Sequence, residues 1–165
     1  MRDPLPEARG AAGLRVVGVG NPFRGDDGAG LEVARRLRET LPEGVEVLER
    51  EGEPTGLMDA LEGAEAVWLV DAVASGAPAG TVHRLDATER ELPADVFRAS
   101  THAFGLAEAV ELARALGKLP PSVVVYGIEG RRFEAGEGLT PEVEAAARRV
   151  ATLVGEEVKR CTRRR

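Results

Sequence analysis

The chain has 165 residues, 43% of them hydrophobic and 30% charged, enough for one domain with a core that needs no staples. The net charge of −6 is uneven: the last ten residues carry five positive and two negative charges, leaving −9 on the other 155, a balance that argues against a nucleic-acid surface on the body. No apolar run approaches the roughly 18–20 residues of a membrane span, and residues 1–10 (MRDPLPEARG) lack the apolar stretch of a secretory signal.

Residues 1–13, rich in Pro, Ala, Gly and charge, read as a flexible N-terminal extension. Residues 14–20 (LRVVGVG) are a short apolar run closing on Gly, the pattern of a buried strand. Asp26 or Asp27 then caps a helix to about Thr40, with Leu31, Ala34, Leu37 and Leu41 on one stripe. Past a break at 42–44, residues 45–48 alternate as a strand, and a short helix over 55–61 follows Pro54. Residues 66–70 (AVWLV) form a fully apolar strand ending at Asp71. After a turn at 76–80 comes a shorter, more polar strand over 81–85, with His83 as a surface residue. It follows its predecessor too closely for a helical crossover, so it is expected to be antiparallel and near an edge.

Residues 88–100 read as a polar connector. Ser100 or Thr101 caps a helix to Leu116, with Leu106, Ala109, Val110, Ala113 and Leu116 inward. Residues 123–128 (VVVYGI) are another apolar strand. Thr140 caps the final helix, with Pro141 at its first position and Val143, Ala147, Val150, Val154 and Val158 on its buried face. A single α/β domain is expected over residues 14–158, with a basic tail over 159–165. Apolar strands interleaved with amphipathic helices call for a mostly parallel sheet covered on both faces.

In such sheets the ligand crevice lies outside the carboxyl ends of the strands. There the pattern places the loop Asn21-Pro22-Phe23-Arg24-Gly25-Asp26-Asp27, then Asp71, then His102 before the next helix, and Glu129 after the last strand. The loop is not a nucleotide loop. Phe23 stands where a dinucleotide fingerprint needs Gly, and Asp26-Asp27 stand where a P-loop needs Lys-Ser/Thr. Two acids at a helix start repel phosphate and attract a cation. One of them is accounted for as a cap; the second is surplus. A His in a helix's first turn is disfavoured as imidazolium and so is ligand-competent. Two carboxylates and an imidazole make a three-ligand set for a divalent transition metal with an open position, and donor softness does not choose among zinc, nickel, cobalt and manganese. Competing chemistries are weaker. Cys161, the single cysteine, excludes an internal disulfide and a paired zinc site, and fits a reducing, cytoplasmic setting. A Ser–His–Asp set using Ser75 or Ser100 has no supporting spacing.

Asn21 is the only Asn, and there is no Gln. The shortage of amides fits a thermophile or, equally, GC-rich codon usage. Asn tolerates a left-handed backbone and bonds neighbouring main chain, so Asn21 is expected to shape the loop and hold Asp26 and Asp27.

The loop GVGNPFRGDDGAG, the strand WLVDAV, the segment STHAFGL and the stretch EGLTPEVE occur in that order. Together they resemble the hydrogenase maturation endopeptidases, over residues 14–154. The resemblance implies a three-layer α/β/α sandwich around a twisted five-stranded sheet. It implies removal of a short C-terminal peptide from the large-subunit precursor of a nickel–iron hydrogenase once nickel is inserted. It assigns nickel contact to Asp27, Asp71 and His102, which are also the candidate catalytic residues, with the cleavage step left open between a metal-polarised carbonyl or metal-activated water and general-base help from Asp27 or Asp71; Gly20, Asn21, Gly25, Asp26 and Gly28 are expected to shape the loop. The nickel is carried by the substrate, replaceable by zinc or cadmium in vitro, and the partner is the precursor, with no nucleic acid or membrane. Two alternatives share the pattern: a paralogous peptidase or amidase on another substrate, and a non-catalytic nickel-binding assembly factor. The N-terminal extension and the Arg tail lie outside the family pattern, and Gly130 follows Glu129 where a Pro is common.

Overall fold

The computed structural model describes residues 12–97 and 105–164. The chain runs through β1 (Leu14–Val19), a 3-10 turn (Gly25–Gly28), α1 (Ala29–Thr40), β2 (Glu46–Arg50) and α2 (Pro54–Leu61). It continues through β3 (Ala66–Val73), β4 (Val82–Asp86), α3 (Ala94–Phe97), α4 (Leu106–Ala115), β5 (Ser122–Glu129) and α5 (Pro141–Arg163). Five strands form one sheet in the order β2-β1-β3-β5-β4. The β1–β2, β1–β3 and β3–β5 pairs are parallel, and β4 lies antiparallel on β5 at the edge. This is the mostly parallel α/β sheet that the alternation of elements predicts.

Side chains alternate between the faces of a strand, and two cores result. On one face Val16, Trp68, Val70, Val124 and Tyr126 meet Val33 and Leu37 of α1 and Val143, Val150, Val154 and Val158 of α5. On the other, Val17, Leu69, Val123 and Val125 meet Leu57 and Leu61 of α2 and Leu106, Ala109 and Val110 of α4. β1, β3 and β5 are buried along nearly their whole length, which is why they read as continuous apolar runs and not as alternation.

Several expectations need correction. β3 and β5 do not stop where their apolar runs stop: Asp71 pairs with Gly127 and Val73 with Glu129, so backbone pairing carries β3 past Asp71 and extends β5 to include Glu129. Neither Asp26 nor Asp27 caps α1. The helix begins at Ala29 behind a 3-10 turn, with no side-chain cap. Leu116 is 56% exposed, because α4 ends at Ala115 and Gly117, at φ +70°, turns the chain away. The described part of α4 opens at Gly105, whose N–H bonds the Glu108 carboxylate at 2.9 Å; Ser100 and Thr101 lie outside the described residues. The connector is not wholly polar, since Leu92 is buried. Thr140 precedes α5 without a side-chain cap, and the helix runs on through Arg163, so most of the expected basic tail is its last turn.

Glycine sets how closely α1 approaches the sheet. A Cβ on Gly18 would lie 2.3 Å from the Gly30 carbonyl oxygen, and one on Gly30 only 2.2 Å from that of Val70 and 2.6 Å from that of Val19. Only bare backbone allows this contact. It docks the start of α1, and the acidic turn before it, against the ends of β1 and β3.

Candidate functional site

Strand order reverses at β1, with β2 on one side and β3 on the other. Such a switch point opens a crevice at the carboxyl edge. The β1–β3 ladder ends at the Gly18–Val70 pair, so Asp71 is the first residue of β3 to pass its neighbour. It lies on the face that α2 and α4 cover, as the alternation with Leu69 and Val73 requires. Asp71 is 3% exposed, and its Oδ1 has no hydrogen-bond partner among the described residues. Burial first, and then the charge of Asp27, push its carboxyl well above the usual range, against one backbone hydrogen bond from Ala72. A buried acid beside another acid, with an unsatisfied oxygen, is costly. A cation between the two would relieve both burdens.

The loop that carries Asp27 is shaped by backbone constraints. At Gly20, φ is +154° and a Cβ would fall 1.9 Å from the Asp27 carbonyl oxygen. The Asn21 N–H donates to Asp27 Oδ2 at 3.0 Å, and the Asn21 Oδ1 accepts from the Phe23 N–H at 2.9 Å. Asn21 thus acts through an Asx turn. The left-handed backbone anticipated for it is absent, since no described non-glycine residue has positive φ. Gly25, at φ +56°, donates its N–H to the Gly136 carbonyl. At Gly28 a Cβ would meet Pro22 at an ordinary 3.5 Å, so space alone does not demand glycine there.

The two loop acids divide their work. Asp27 is 3% exposed and faces the crevice with Asp71. Asp26 is fully buried and accepts from the Arg131 N–H (2.8 Å), the Arg132 N–H (2.9 Å), the Thr140 N–H (2.8 Å) and the Thr140 hydroxyl. Burial pushes its carboxyl upward, but the bonds from Thr140, Arg132 and Arg131 outweigh that, and the net shift is downward. It spans more than a hundred residues of sequence to tie the acidic loop to the segment leading into α5.

A third acid, Glu129, is placed at the carboxyl edge by the sequence, but its partners are not. Glu129 is 1% exposed. It accepts from the Ser75 N–H at 3.1 Å and from the Ser75 hydroxyl, and it lies 2.9 Å from His83 Nε2. His83 is therefore half-buried and partnered, not a plain surface residue. Because the Ser75 hydroxyl donates to Glu129 and not to the imidazole, Ser75 is not poised as a nucleophile. His83 and Glu129 share the face of the sheet that Leu85 and Val125 line, a relation that appears only once the β4–β5 register is known.

His102 lies outside the described residues. Gly105, three positions on, opens α4 over the face of the sheet that bears Asp71. Among the described residues no group of three or more His, Cys, Asp or Glu is gathered for a metal; the acid pair Asp27 and Asp71 is what they bring together. Cys161 packs beside the core of α5, not at the crevice. No described helix is long and apolar enough to cross a membrane.

The model of one family, hydrogenase maturation protease, matches residues 31–157. The chain is 30% identical over 153 residues to a Methanocaldococcus jannaschii protein named as a hydrogenase maturation protease, covering 89% of this chain and 97% of that one. It is 26% identical over 144 residues to the hydrogenase expression/formation protein HupD of Thiocapsa roseopersicina, covering 81% of this chain but 65% of that relative's length. Among solved structures, the hydrogenase maturating endopeptidase HybD from Escherichia coli superposes with a TM-score of 0.73 at 26% identity, over 90% of this chain and 93% of that one.

Proposed function

The chain belongs to the hydrogenase maturation protease family, and from that premise we propose that it is an endopeptidase that removes the C-terminal peptide of a nickel-loaded nickel–iron hydrogenase large-subunit precursor. In this reading Asp27, Asp71 and His102 contact the nickel that the precursor carries. The observation that carries it is the Asp71 carboxylate, buried, with no hydrogen-bond partner at Oδ1 among the described residues, and destabilised as an anion by burial and by Asp27. Without a cation the pair favours holding a proton. A divalent cation delivered by the substrate lets both acids ionise, so the site distinguishes a metal-loaded precursor from an empty one by charge alone.

The chemistry available to such a pair is limited and specific. Once ionised, a carboxylate of the pair can take a proton from an attacking water, while the substrate's metal polarises the scissile carbonyl. Zinc or cadmium offers a similar charge to the same donors and would stand in for nickel in vitro. The acid–base work falls to Asp27 and Asp71. Asp26 and Asn21 hold the loop that presents them.

The test is direct. The protein is incubated with nickel-loaded and nickel-free precursor, and the product is weighed by mass spectrometry. Trimming of the loaded form alone is expected, and Asp27→Ala, Asp71→Ala and His102→Ala each abolish it while circular dichroism stays that of the native fold. Equal trimming of the nickel-free form, or activity surviving in all three variants, refutes the reading.

A further inference from the structure

The chain has two histidines. His102 is given to the nickel, which leaves His83. On β4 His83 pairs with Gly127 of β5, and on β3 Asp71 pairs with the same Gly127. Residues opposite one another in a ladder point to the same face, so Asp71 and His83 flank Gly127 on one face of the sheet. Two strand spacings separate their backbones, about 10 Å. Gly127 has no side chain, so nothing from β5 fills the interval between the crevice acid and the imidazole.

Glu129 lies two positions beyond Gly127, on the same face, and fixes the ring of His83. The Glu129 side chain is 1% exposed and that of His83 is 23% exposed, so the acid is sealed in while the imidazole still reaches solvent. A carboxylate only accepts, so the 2.9 Å contact is Nε2–H of His83 donating to Glu129 Oε1. That bond sets the tautomer and the ring plane, as the buried acid of a catalytic triad does for its histidine. Nδ1 is then the nitrogen that gains and loses a proton. Among the described residues the imidazole has no second hydrogen-bond partner. A brace for the β3–β4 turn does not need this histidine, because the Ser75 N–H and hydroxyl already tie the turn to Glu129.

We propose that His83 is a further catalytic residue of the trimming reaction, the general acid that protonates the leaving amine from Nδ1, with Glu129 as its positioning residue. The proposal rests on the endopeptidase reading and extends the work of Asp27 and Asp71 by a second proton transfer. A carboxylate of the acid pair takes one proton from the attacking water, whose oxygen bonds to the scissile carbonyl carbon. The C–N bond then breaks with its electron pair on nitrogen, and the Nδ1 proton passes to that nitrogen. His83 is left neutral, and the proton held by the acid pair returns to it through solvent. One water is consumed, and one carboxyl and one amine are released. A peptide lying across Gly127 has the acids on one side and His83 on the other. Besides Glu129, the charged groups at this end of the face are Asp71 on β3, Asp27 in the acidic loop, Arg50 at the end of β2 and Glu108 at the start of α4.

The test measures trimming of nickel-loaded precursor against precursor concentration and pH, for the wild type, His83→Gln, His83→Ala and Glu129→Gln, with the fold of each checked by circular dichroism. His83→Gln keeps a donor for Glu129 but carries no transferable proton. Its kcat should fall about a hundredfold, as for loss of a general acid, while KM stays within about twofold. An imidazole is an acid only while protonated, so wild-type kcat should decline at alkaline pH, and His83→Gln should lose that decline. Added imidazole should restore part of the activity of His83→Ala. Glu129→Gln should lower kcat about tenfold with the alkaline decline retained.

Wild-type kcat in His83→Gln overturns the proposal, and means that the acid pair itself returns the proton to the amine. A loss of equal size at every pH, unrescued by imidazole, also overturns it and makes His83 a brace. His83 is half-buried, so His83→Gln keeps the test valid should Glu129→Gln fail to fold. If the wild type trims no loaded precursor, the endopeptidase reading falls. If the wild type trims and His83→Gln trims as well, only the role of His83 falls.

Discussion

Replacing Asp26 by Ala removes a fully buried carboxylate that serves four donors, the N–H groups of Arg131, Arg132 and Thr140 and the Thr140 hydroxyl. A hydrogen bond to a charged acceptor contributes about 1.5–3 kcal/mol. The four do not add, because Arg131 and Arg132 are exposed residues whose amides can turn to water once the carboxylate is gone. A net loss of about 3–5 kcal/mol follows, at the upper end for single substitutions. At about 2–4 °C per kcal/mol for a domain of this size, the melting temperature falls by roughly 10 °C. Asp26→Asn keeps one acceptor oxygen but turns an NH2 toward donors, and should lose about half as much. The pH dependence has a definite sign. The Asp26 carboxyl is shifted down in the fold, so its stabilisation is fully present above the unfolded value of about 3.9 and is lost as pH falls through the lower folded value. Thermal unfolding followed by circular dichroism between pH 7 and 3 should show the wild type and Asp26→Ala converging at the acid end. A melting temperature within about 3 °C of wild type at pH 7 would refute the account of Asp26 as the clamp between the two segments.

Two further outcomes are expected. Asp71→Asn removes an ionisable group that burial and Asp27 push upward; it should abolish trimming while raising the melting temperature by a few degrees, as removal of a strained functional charge often does. The wild type should lose stability as pH rises from about 3.9 toward the raised folded value, because the folded state holds the proton more tightly, and Asp71→Asn should not; parallel pH-dependent melts of the two proteins decide it. Gly30→Ala puts a methyl 2.2 Å from the Val70 carbonyl oxygen. It should cost about 3 kcal/mol or more through overpacking against rigid backbone, and urea unfolding at wild-type stability would refute the close docking of α1.

The sheet was legible because its chemistry is repetitive. Val16, Val17, Leu69, Val123 and Val125 sit in apolar runs that mark buried strands, and the short link into β4 leaves no room for a helical crossover, so β4 runs antiparallel, on β5 and not on β3. Strand ends were less legible, because hydropathy marks where apolar residues stop and not where backbone pairing stops; β3 and β5 stay paired beyond Asp71 and up to Glu129. The acid doublet was visible as a surplus charge. Its division of labour was not, since the donors to Asp26 come from residues 131, 132 and 140. The partnership of Glu129 with His83 and Ser75 was hidden for the same reason: it depends on strand order and register, which a local pattern does not contain.

The clamp on Asp26 also sets an order of events during synthesis. The loop bearing Asp27 is made early, yet its last fastening, Thr140, lies 114 residues downstream. At about 5–20 residues per second of translation, the nascent loop waits roughly 6–23 s before its fastening exists. A ribosome-bound or truncated chain therefore carries both crevice acids without the geometry that aims them. The acidic crevice is among the last parts of the molecule to be finished, and an incomplete copy lacks it by construction.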